Sequence, residues 1–211
     1  MRLHDADWAP NPRRVRIYLA EKGLEVPRRS VDLRAGEHLG DAYRAENPFA
    51  SLPVLELDGG ELIPESAAIC RYFEVLHPEP PLFGGGDARA VARIESWTRR
   101  IEHEGYAAVV NVLRNSRPAF ADRPLPGAWP PMVQLPALAE RGQMMWEVFV
   151  RTVDAQLGEA TWVAGEDYSF ADITLLATVD FAGAARLAVP ETCAHLRRWH
   201  AAVSARPSAG A

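Results

Sequence analysis

The sequence predicts an α/β N-terminal domain followed by an all-α C-terminal helical bundle domain. In the first part of the chain, short apolar runs alternate with amphipathic stretches, whereas after residue 88 the apolar residues recur at helical spacing. A Pro/Gly-rich stretch, residues 77–87, separates the two parts. We therefore predict an N-terminal domain over residues 1–79, a linker over 80–87 and a C-terminal domain over 88–211.

The first elements follow from strand and helix-end signals. Arg2–Asp5 is predicted as a strand, and Arg28–Asp32 as a second strand. Between them, Asn11 as N-cap and Pro12 as the first helical residue predict a helix that ends at Gly23. Three arginines of this helix are expected to form a solvated face: Arg13, Arg14 and Arg16.

A β-hairpin is predicted next. Two short strand-like runs, Val54–Leu57 and Glu61–Ile63, are separated by Asp58-Gly59-Gly60, which is a strong turn signal. A helix is predicted to start at Glu65-Ser66. The resulting order, β-α-β and then β-β-α, is the thioredoxin-like arrangement.

Pro53 stands where the first hairpin strand should begin. Because proline cannot donate to a strand ladder, Pro53 either opens a strand or lies in a cis turn. A cis bond would let the main-chain N–H and C=O of Leu52 point outward, beside a helix N-terminus. That combination predicts a socket for a peptide-like ligand that carries a carboxylate.

The second part of the chain reads as helices joined by one long loop. Apolar residues recur at helical spacing over Ala88–Asn115 and over Met144–Leu157, and a proline-rich loop, Pro118–Pro136, lies between them. Ser169 and Asp172 form a capping box before an apolar run. We interpret this box as structural, not catalytic.

Composition excludes several classes of function. The chain has 211 residues and a net charge of −5 with no basic block, so a nucleic-acid partner is not expected. Its two cysteines, Cys70 and Cys193, form no C-x-x-C pair, which disfavours a metal site or a dithiol centre. No secretory signal or membrane-spanning run is seen, so we expect a cytoplasmic protein that does not bind membranes.

The hairpin and the helix after it resemble the glutathione-binding segment of the soluble glutathione transferases. In that family the residue before a cis-proline pairs with the cysteine backbone of glutathione, and an acidic-Ser pair holds the γ-glutamyl end. The resemblance assigns these roles to Leu52, Pro53, Glu65 and Ser66. His38, in Gly36-Glu-His-Leu39, matches a histidine of the theta-like members that contacts the glycine carboxylate. The capping box is also typical of the family's C-terminal domain.

The source of thiol activation departs from the common family pattern. A thiol attacks as its thiolate, and most members place a Tyr, Ser or Cys after the first strand to stabilise it. That loop has none of the three here, and Ala9 stands at the catalytic serine position. The chain in this respect resembles an atypical bacterial and fungal subgroup, in which a water held by the helical domain is thought to assist. The candidates are Asn11 at the helix start, whose other role is N-capping, and Ser116, in a polar set with Asn111, Arg114 and Asn115.

The predicted function is glutathione transfer to small electrophilic, apolar substrates, with glutathione as co-substrate and no metal. Trp8, Tyr106 and Asn115 are candidates for the second-substrate pocket. The resemblance also implies a homodimer. Because the usual catalytic side chain is missing, the alternatives are a non-catalytic glutathione-binding protein and a partner-docking protein with the same fold.

Overall fold

The computed structural model describes residues 1–211, which form two compact units. The first unit comprises Met1–Pro80 together with Leu125–Pro130 and Ala211, and the second comprises Pro81–Pro124 and Pro131–Gly210. The predicted long loop is therefore divided, since its central part belongs to the first unit. None of the helices combines the length and the hydropathy needed to cross a membrane.

The first unit is built on a four-stranded mixed sheet, across which the strands lie in the order Arg28–Ser30, Arg2–Asp5, Val54–Glu56 and Leu62–Pro64. Its elements in chain order are β1 (Arg2–Asp5), α1 (Pro10–Glu21), β2 (Arg28–Ser30), α2 (Asp41–Glu46), β3 (Val54–Glu56), β4 (Leu62–Pro64) and α3 (Ser66–Leu76). β1 pairs in parallel with β2 and antiparallel with β3, and β3 pairs antiparallel with β4. This topology confirms the predicted thioredoxin-like fold.

Helix α1 begins two residues earlier than predicted. The cap is Ala9 and Pro10 is the first helical residue, so Asn11 lies inside the helix at its second position. Prolines are tolerated at both Pro10 and Pro12 because the first N–H groups of a helix have no intrahelical acceptor to lose. The prediction of Asn11 as N-cap is therefore wrong. The helix ends as expected, with Gly23 at φ +64° after its last residue.

The expected solvated face of arginines on α1 is also wrong for two of its three members. Arg14 and Arg16 are 6% and 8% exposed. Arg16 lies 2.7 Å from the carboxylate of Asp5 and donates to the main-chain carbonyl of Asp7. A buried guanidinium needs such partners because its desolvation is otherwise too costly.

The second unit is helical, as predicted. Its elements are α4 (Ala88–Arg100), a π-helical turn (Ile101–Tyr106), α5 (Ala107–Ser116), α6 (Pro136–Glu159), α7 (Phe170–Ala182) and α8 (Ala194–Ser204). Residues 80–87, expected to be a linker, largely belong to this unit, since Leu82 and Phe83 are buried in it. The Phe83 ring stacks on Phe170 at 4.7 Å, and the Phe170 N–H donates to the Leu82 carbonyl at 2.9 Å.

The predicted capping box starts α7 and is confirmed. The Ser169 and Asp172 side chains each bond the other residue's main chain, and Asp172 is fully buried. Its carboxylate also accepts hydrogen bonds from the main-chain N–H of Val163 and from the indole N–H of Trp199 on α8. Burial raises the pKa of Asp172 to about 6, against the opposing effect of these donors. Asp172 thus joins α7, α8 and the preceding loop.

Candidate active site

The sheet register brings the predicted glutathione-binding segments to one edge of the first unit. Val54 is paired with Pro64, so the residues just before Val54 and just after Pro64 lie at the same end of the hairpin. Val54 is also paired with His4, which places the end of β1 and the start of α1 at that end. Because β2 runs parallel to β1, its C-terminal end faces the same way. Parallel and antiparallel pairing together gather four loops at one edge.

Leu52 presents main-chain groups at this edge. The Leu52–Pro53 peptide bond is cis, and Pro53 is buried at the start of the hairpin. Neither the N–H nor the C=O of Leu52 takes part in a hydrogen bond within the chain. Leu52 is half-buried, so these groups lie at the surface rather than in the core. They can pair with the backbone of a peptide-like ligand in the manner of an added strand.

Glu65 and Ser66 form an open helix N-terminus beside Leu52. α3 begins at Ser66, and no side chain caps it. The N–H groups of Ser66, Ala67 and Ala68 have no acceptor within the chain, so they and the helix dipole favour an anion there. Glu65 has φ +69°, an unusual conformation for a residue with a side chain. Such conformations cluster at ligand-binding sites, and this one directs the chain from β4 into α3.

His38 lies in a short helical turn, Glu37–Leu39, after β2. The turn is held by Asp32, whose carboxylate accepts the N–H groups of Arg34 and Ala35, and by Glu37, whose carboxylate accepts the N–H of Asp32. The imidazole of His38 is half-buried. An imidazole N–H in this position can donate to a ligand carboxylate.

The start of α1 is the remaining part of the edge. Ala9 is buried and carries no polar atom, so it contributes only its main chain. Pro10 and Pro12 lack an N–H, so Asn11 supplies the only main-chain N–H of the first three helical positions. Cys70 offers no alternative nucleophile, because it is completely buried and burial raises the pKa of its thiol.

Arg16 and Asp5 support the loop between β1 and α1, a role that the sequence analysis did not predict. Arg16 bridges the Asp5 carboxylate and the Asp7 carbonyl, both at 2.7 Å. Arg28 adds a second contact to Asp5 at 3.1 Å. The sequence does contain one indication of this role, because Arg16 stands between Val15 and Ile17 in an otherwise apolar run. A cation at an apolar position implies a buried partner.

The predicted second-substrate residues occupy different settings. In the first unit, Trp8 is 50% exposed and its ring lies 5.6 Å from the guanidinium of Arg34. In the second unit, Tyr106 closes the π-helical turn, and its ring stacks on Phe181 at 5.9 Å. π-Helical turns within α-helices are frequent at functional sites.

Asn115 and Ser116 make contacts that serve the second unit's own fold. The Asn115 amide donates to the Asn111 carbonyl and accepts the N–H of Leu135, both at 3.0 Å. It thereby joins the end of α5 to the start of α6. The exposed Ser116 donates its hydroxyl to the Val112 carbonyl at 2.6 Å. The roles predicted for these two residues toward substrate stay predictions.

Comparison with known proteins identifies the family. The chain matches the family model described as Glutathione S-transferase, N-terminal domain, over residues 8–76, and the one described as Glutathione S-transferase, C-terminal domain, over residues 139–207. Glutathione S-transferase 2 of Saccharomyces cerevisiae is 34% identical over 213 residues, which cover 99% of this chain and 87% of that protein.

Solved structures agree with this match. The crystal structure of Gtt2 from Saccharomyces cerevisiae has a TM-score of 0.88 at 33% identity and covers 99% of this chain and 98% of its own. That of a glutathione S-transferase domain-containing protein from Marinobacter aquaeolei VT8 has a TM-score of 0.87 at 34% identity and covers 99% of both chains. The chain therefore belongs to the soluble glutathione S-transferase family.

Proposed function

We propose that the protein is a glutathione transferase that binds glutathione at the edge of its first unit and transfers it to a small electrophile. One observation carries this proposal. The unpaired main-chain groups of Leu52 adjoin the uncapped start of α3 with the Ser66 hydroxyl, at the end of one hairpin. These features match the backbone and the γ-glutamyl carboxylate of glutathione. The full-length similarity to named glutathione S-transferases supports it independently.

Each part of glutathione has a corresponding group in the first unit. Leu52 pairs with the cysteine residue through its N–H and C=O, and Pro53 fixes the direction of the chain there. The first turn of α3 and Ser66 bind the γ-glutamyl carboxylate, while the Glu65 carboxylate accepts from the γ-glutamyl ammonium. His38 donates to the glycine carboxylate. The ligand is thus held at three points, which orients its thiol.

Activation of the thiol comes from the start of α1. The Asn11 N–H and the helix dipole stabilise the thiolate, and the thiol proton passes to solvent. The sulfur lone pair then forms a bond to an electrophilic carbon, and the leaving group departs with the bonding electrons or, in an addition, the adjacent atom accepts them. Because Ala9 has no hydroxyl, the Asn11 N–H and the dipole of α1 must replace the usual side-chain donor. Ser116 stays the predicted candidate for holding an assisting water.

The composition and the family also suggest the wider setting. Two separate cysteines fit a reducing cytoplasm, and transfer to small electrophiles fits a role in detoxification. A homodimer is proposed by resemblance to the family. Light scattering after size exclusion tests it, with a mass of twice 23.3 kDa expected and the monomer mass contradicting it.

The missing Tyr, Ser or Cys favours a second candidate, a glutathione-binding protein without catalysis. Turnover of a chloronitrobenzene at saturating glutathione separates the two. We expect turnover by the wild type, and for Ser66→Ala a kcat/KM for glutathione lower by about 10- to 100-fold, the loss of one hydrogen bond to a charged group. The exposed Ser96 gives a matched control, and Ser96→Ala should leave turnover unchanged. Absence of turnover with any electrophile or peroxide would refute the transferase proposal.

A further inference from the structure

A buried asparagine closes the loop that leads into the cis-proline. Asn47 is 1% exposed. Its side-chain N–H donates to the Ser51 carbonyl at 2.8 Å, and its side-chain oxygen accepts the Phe49 N–H at 3.2 Å. Its own carbonyl accepts the Ala50 N–H at 3.0 Å, and its N–H donates to the Tyr43 carbonyl at 2.7 Å. One residue thus organises the whole loop from 47 to 51.

The bond from Asn47 to Ser51 acts on the peptide group that contains the Leu52 N–H. The Ser51 carbonyl and the Leu52 N–H belong to one planar, trans peptide unit, so they point in opposite directions. Holding the carbonyl toward Asn47 therefore directs the Leu52 N–H away from the loop, where no group of the chain accepts it. Asn47 determines the direction of a donor that it does not touch.

The neighbouring backbone needs this support. Ala50 has φ +48°, in the left-handed region, which is unfavourable for a residue with a Cβ. Such a conformation persists only where surrounding contacts impose it. Asn47 supplies those contacts, because it accepts the N–H groups of Phe49 and Ala50 and donates to the Ser51 carbonyl. Without them, the loop would relax to other conformations, and Leu52 would move with it.

Asn47 is in turn held against the centre of the sheet. The Tyr43 hydroxyl lies 3.2 Å from Nδ1 of His4 on β1, and Nε2 of His4 lies 3.0 Å from the Glu56 carboxylate on β3. His4 is completely buried, and burial raises the pKa of Tyr43, with the Asn47 side chain opposing that effect. This polar chain ties α2, and the Asn47 loop after it, to the two central strands.

We propose that Asn47 is a positioning residue for glutathione binding, acting through the Ser51–Leu52 peptide, with Tyr43 and His4 as its support. The inference rests on the proposed function, since it assumes that Leu52 receives the ligand. Asn47 does not contact glutathione. Its loss should therefore weaken the binding of glutathione and leave the binding of the electrophile unchanged.

Asn47→Asp tests the donor directly, because an ionised aspartate keeps the size and still accepts from Phe49 but cannot donate to Ser51. We expect calorimetry to give a Kd for glutathione about tenfold higher than that of the wild type. In turnover, KM for glutathione should rise by the same factor, while kcat at saturation and KM for the electrophile stay within about twofold. Destabilisation alone would lower the active fraction, and hence kcat, without this selective change in KM.

Tyr18→Phe is the matched control, since it removes one hydrogen bond from a buried side chain of the same unit, to Glu74 at 2.6 Å. It should lower the thermal midpoint and leave KM for glutathione unchanged. If Asn47→Asp does not fold, Tyr43→Phe takes its place, with a Kd for glutathione expected to rise about threefold.

The outcomes separate this inference from the proposed function. A folded Asn47→Asp protein with the wild-type Kd would overturn the positioning role while leaving the glutathione site intact. A wild-type protein that binds no glutathione would instead refute the proposed function, and the inference with it. A KM for glutathione that rises equally in Tyr18→Phe would also overturn it.

Discussion

Removing the carboxylate of Asp172 should destabilise the second unit severely. The carboxylate accepts four hydrogen bonds of 2.9–3.1 Å, from Val163, Trp199 and two groups of Ser169. Asp172→Ala leaves three N–H donors buried without an acceptor, while the Ser169 hydroxyl can rotate. At ~1–3 kcal/mol for each unsatisfied buried donor, the free energy of unfolding should fall by about 4 kcal/mol. That is a large part of the ~5–15 kcal/mol available to a domain.

The pH dependence of this effect has a definite sign. Burial raises the pKa of Asp172 to about 6, above the ~3.9 of an unfolded aspartate. Between about pH 4 and 6 the folded unit therefore binds more protons than the unfolded chain, and the contribution of Asp172 to stability falls as the pH rises. Asp172→Asn cannot titrate, so the stability difference between wild type and this variant should be about 1 kcal/mol larger at pH 5 than at pH 7.

Urea unfolding followed by circular dichroism measures both effects. Asp154→Ala is the control, because the half-buried Asp154 carboxylate accepts a single main-chain bond, from Leu196 at 2.8 Å. It should cost about 1 kcal/mol, as for one helix cap. An Asp172→Ala protein no less stable than Asp154→Ala would contradict the stabilising role of the buried carboxylate. A stability difference between wild type and Asp172→Asn that grows as the pH rises from 5 to 7 would contradict its raised pKa.

Substitutions at three further positions test the local geometry. Because Glu65 has φ +69°, the Glu65→Gly protein should be more stable than Glu65→Ala by ~1 kcal/mol and should unfold at a higher temperature. Both variants should bind glutathione more weakly in calorimetry. Equal stability of the two would contradict backbone strain at this residue. A Cβ at Gly142 would lie 2.8 Å from the Ala108 carbonyl, so Gly142→Ala should cost ~1–3 kcal/mol in urea unfolding, and no cost would contradict the close helix crossing. Asp5→Asn weakens the ion pair with the buried Arg16 and should cost ~3 kcal/mol of stability in the first unit; a loss below 1 kcal/mol would contradict it.

Local signals in the sequence were enough to predict the edge that carries the site. Asp58-Gly59-Gly60 set the hairpin, and Pro53 marked the turn before it. These signals act over a few residues, so they can be read without knowledge of the partner strands. The Ser169–Asp172 box is of the same kind, because both of its hydrogen bonds close within one helical turn.

Features that depend on distant partners were not predictable. Arg16 is buried because Asp5 reaches it from another element, and a pattern of single residues does not show that pairing. The start of α1 was misplaced because Pro10 and Pro12 are both compatible with a first turn. The π-helical turn at Ile101–Tyr106 interrupts an apolar pattern that reads as one helix. Within this turn, Gly105 lies so close to the Phe149 ring that a Cβ at that position would be 2.5 Å from it.

The pKa of the glutathione thiol when bound to this protein is the most direct measure of thiol activation at this site. The thiolate absorbs in the ultraviolet, so a difference titration of the complex against pH gives that pKa. A free thiol has a pKa of ~8.5. Although Ala9 supplies no side-chain donor, stabilisation of the thiolate by the start of α1 should lower this pKa by at least about one unit. A bound thiol that titrates with the pKa of free glutathione would contradict activation at this site.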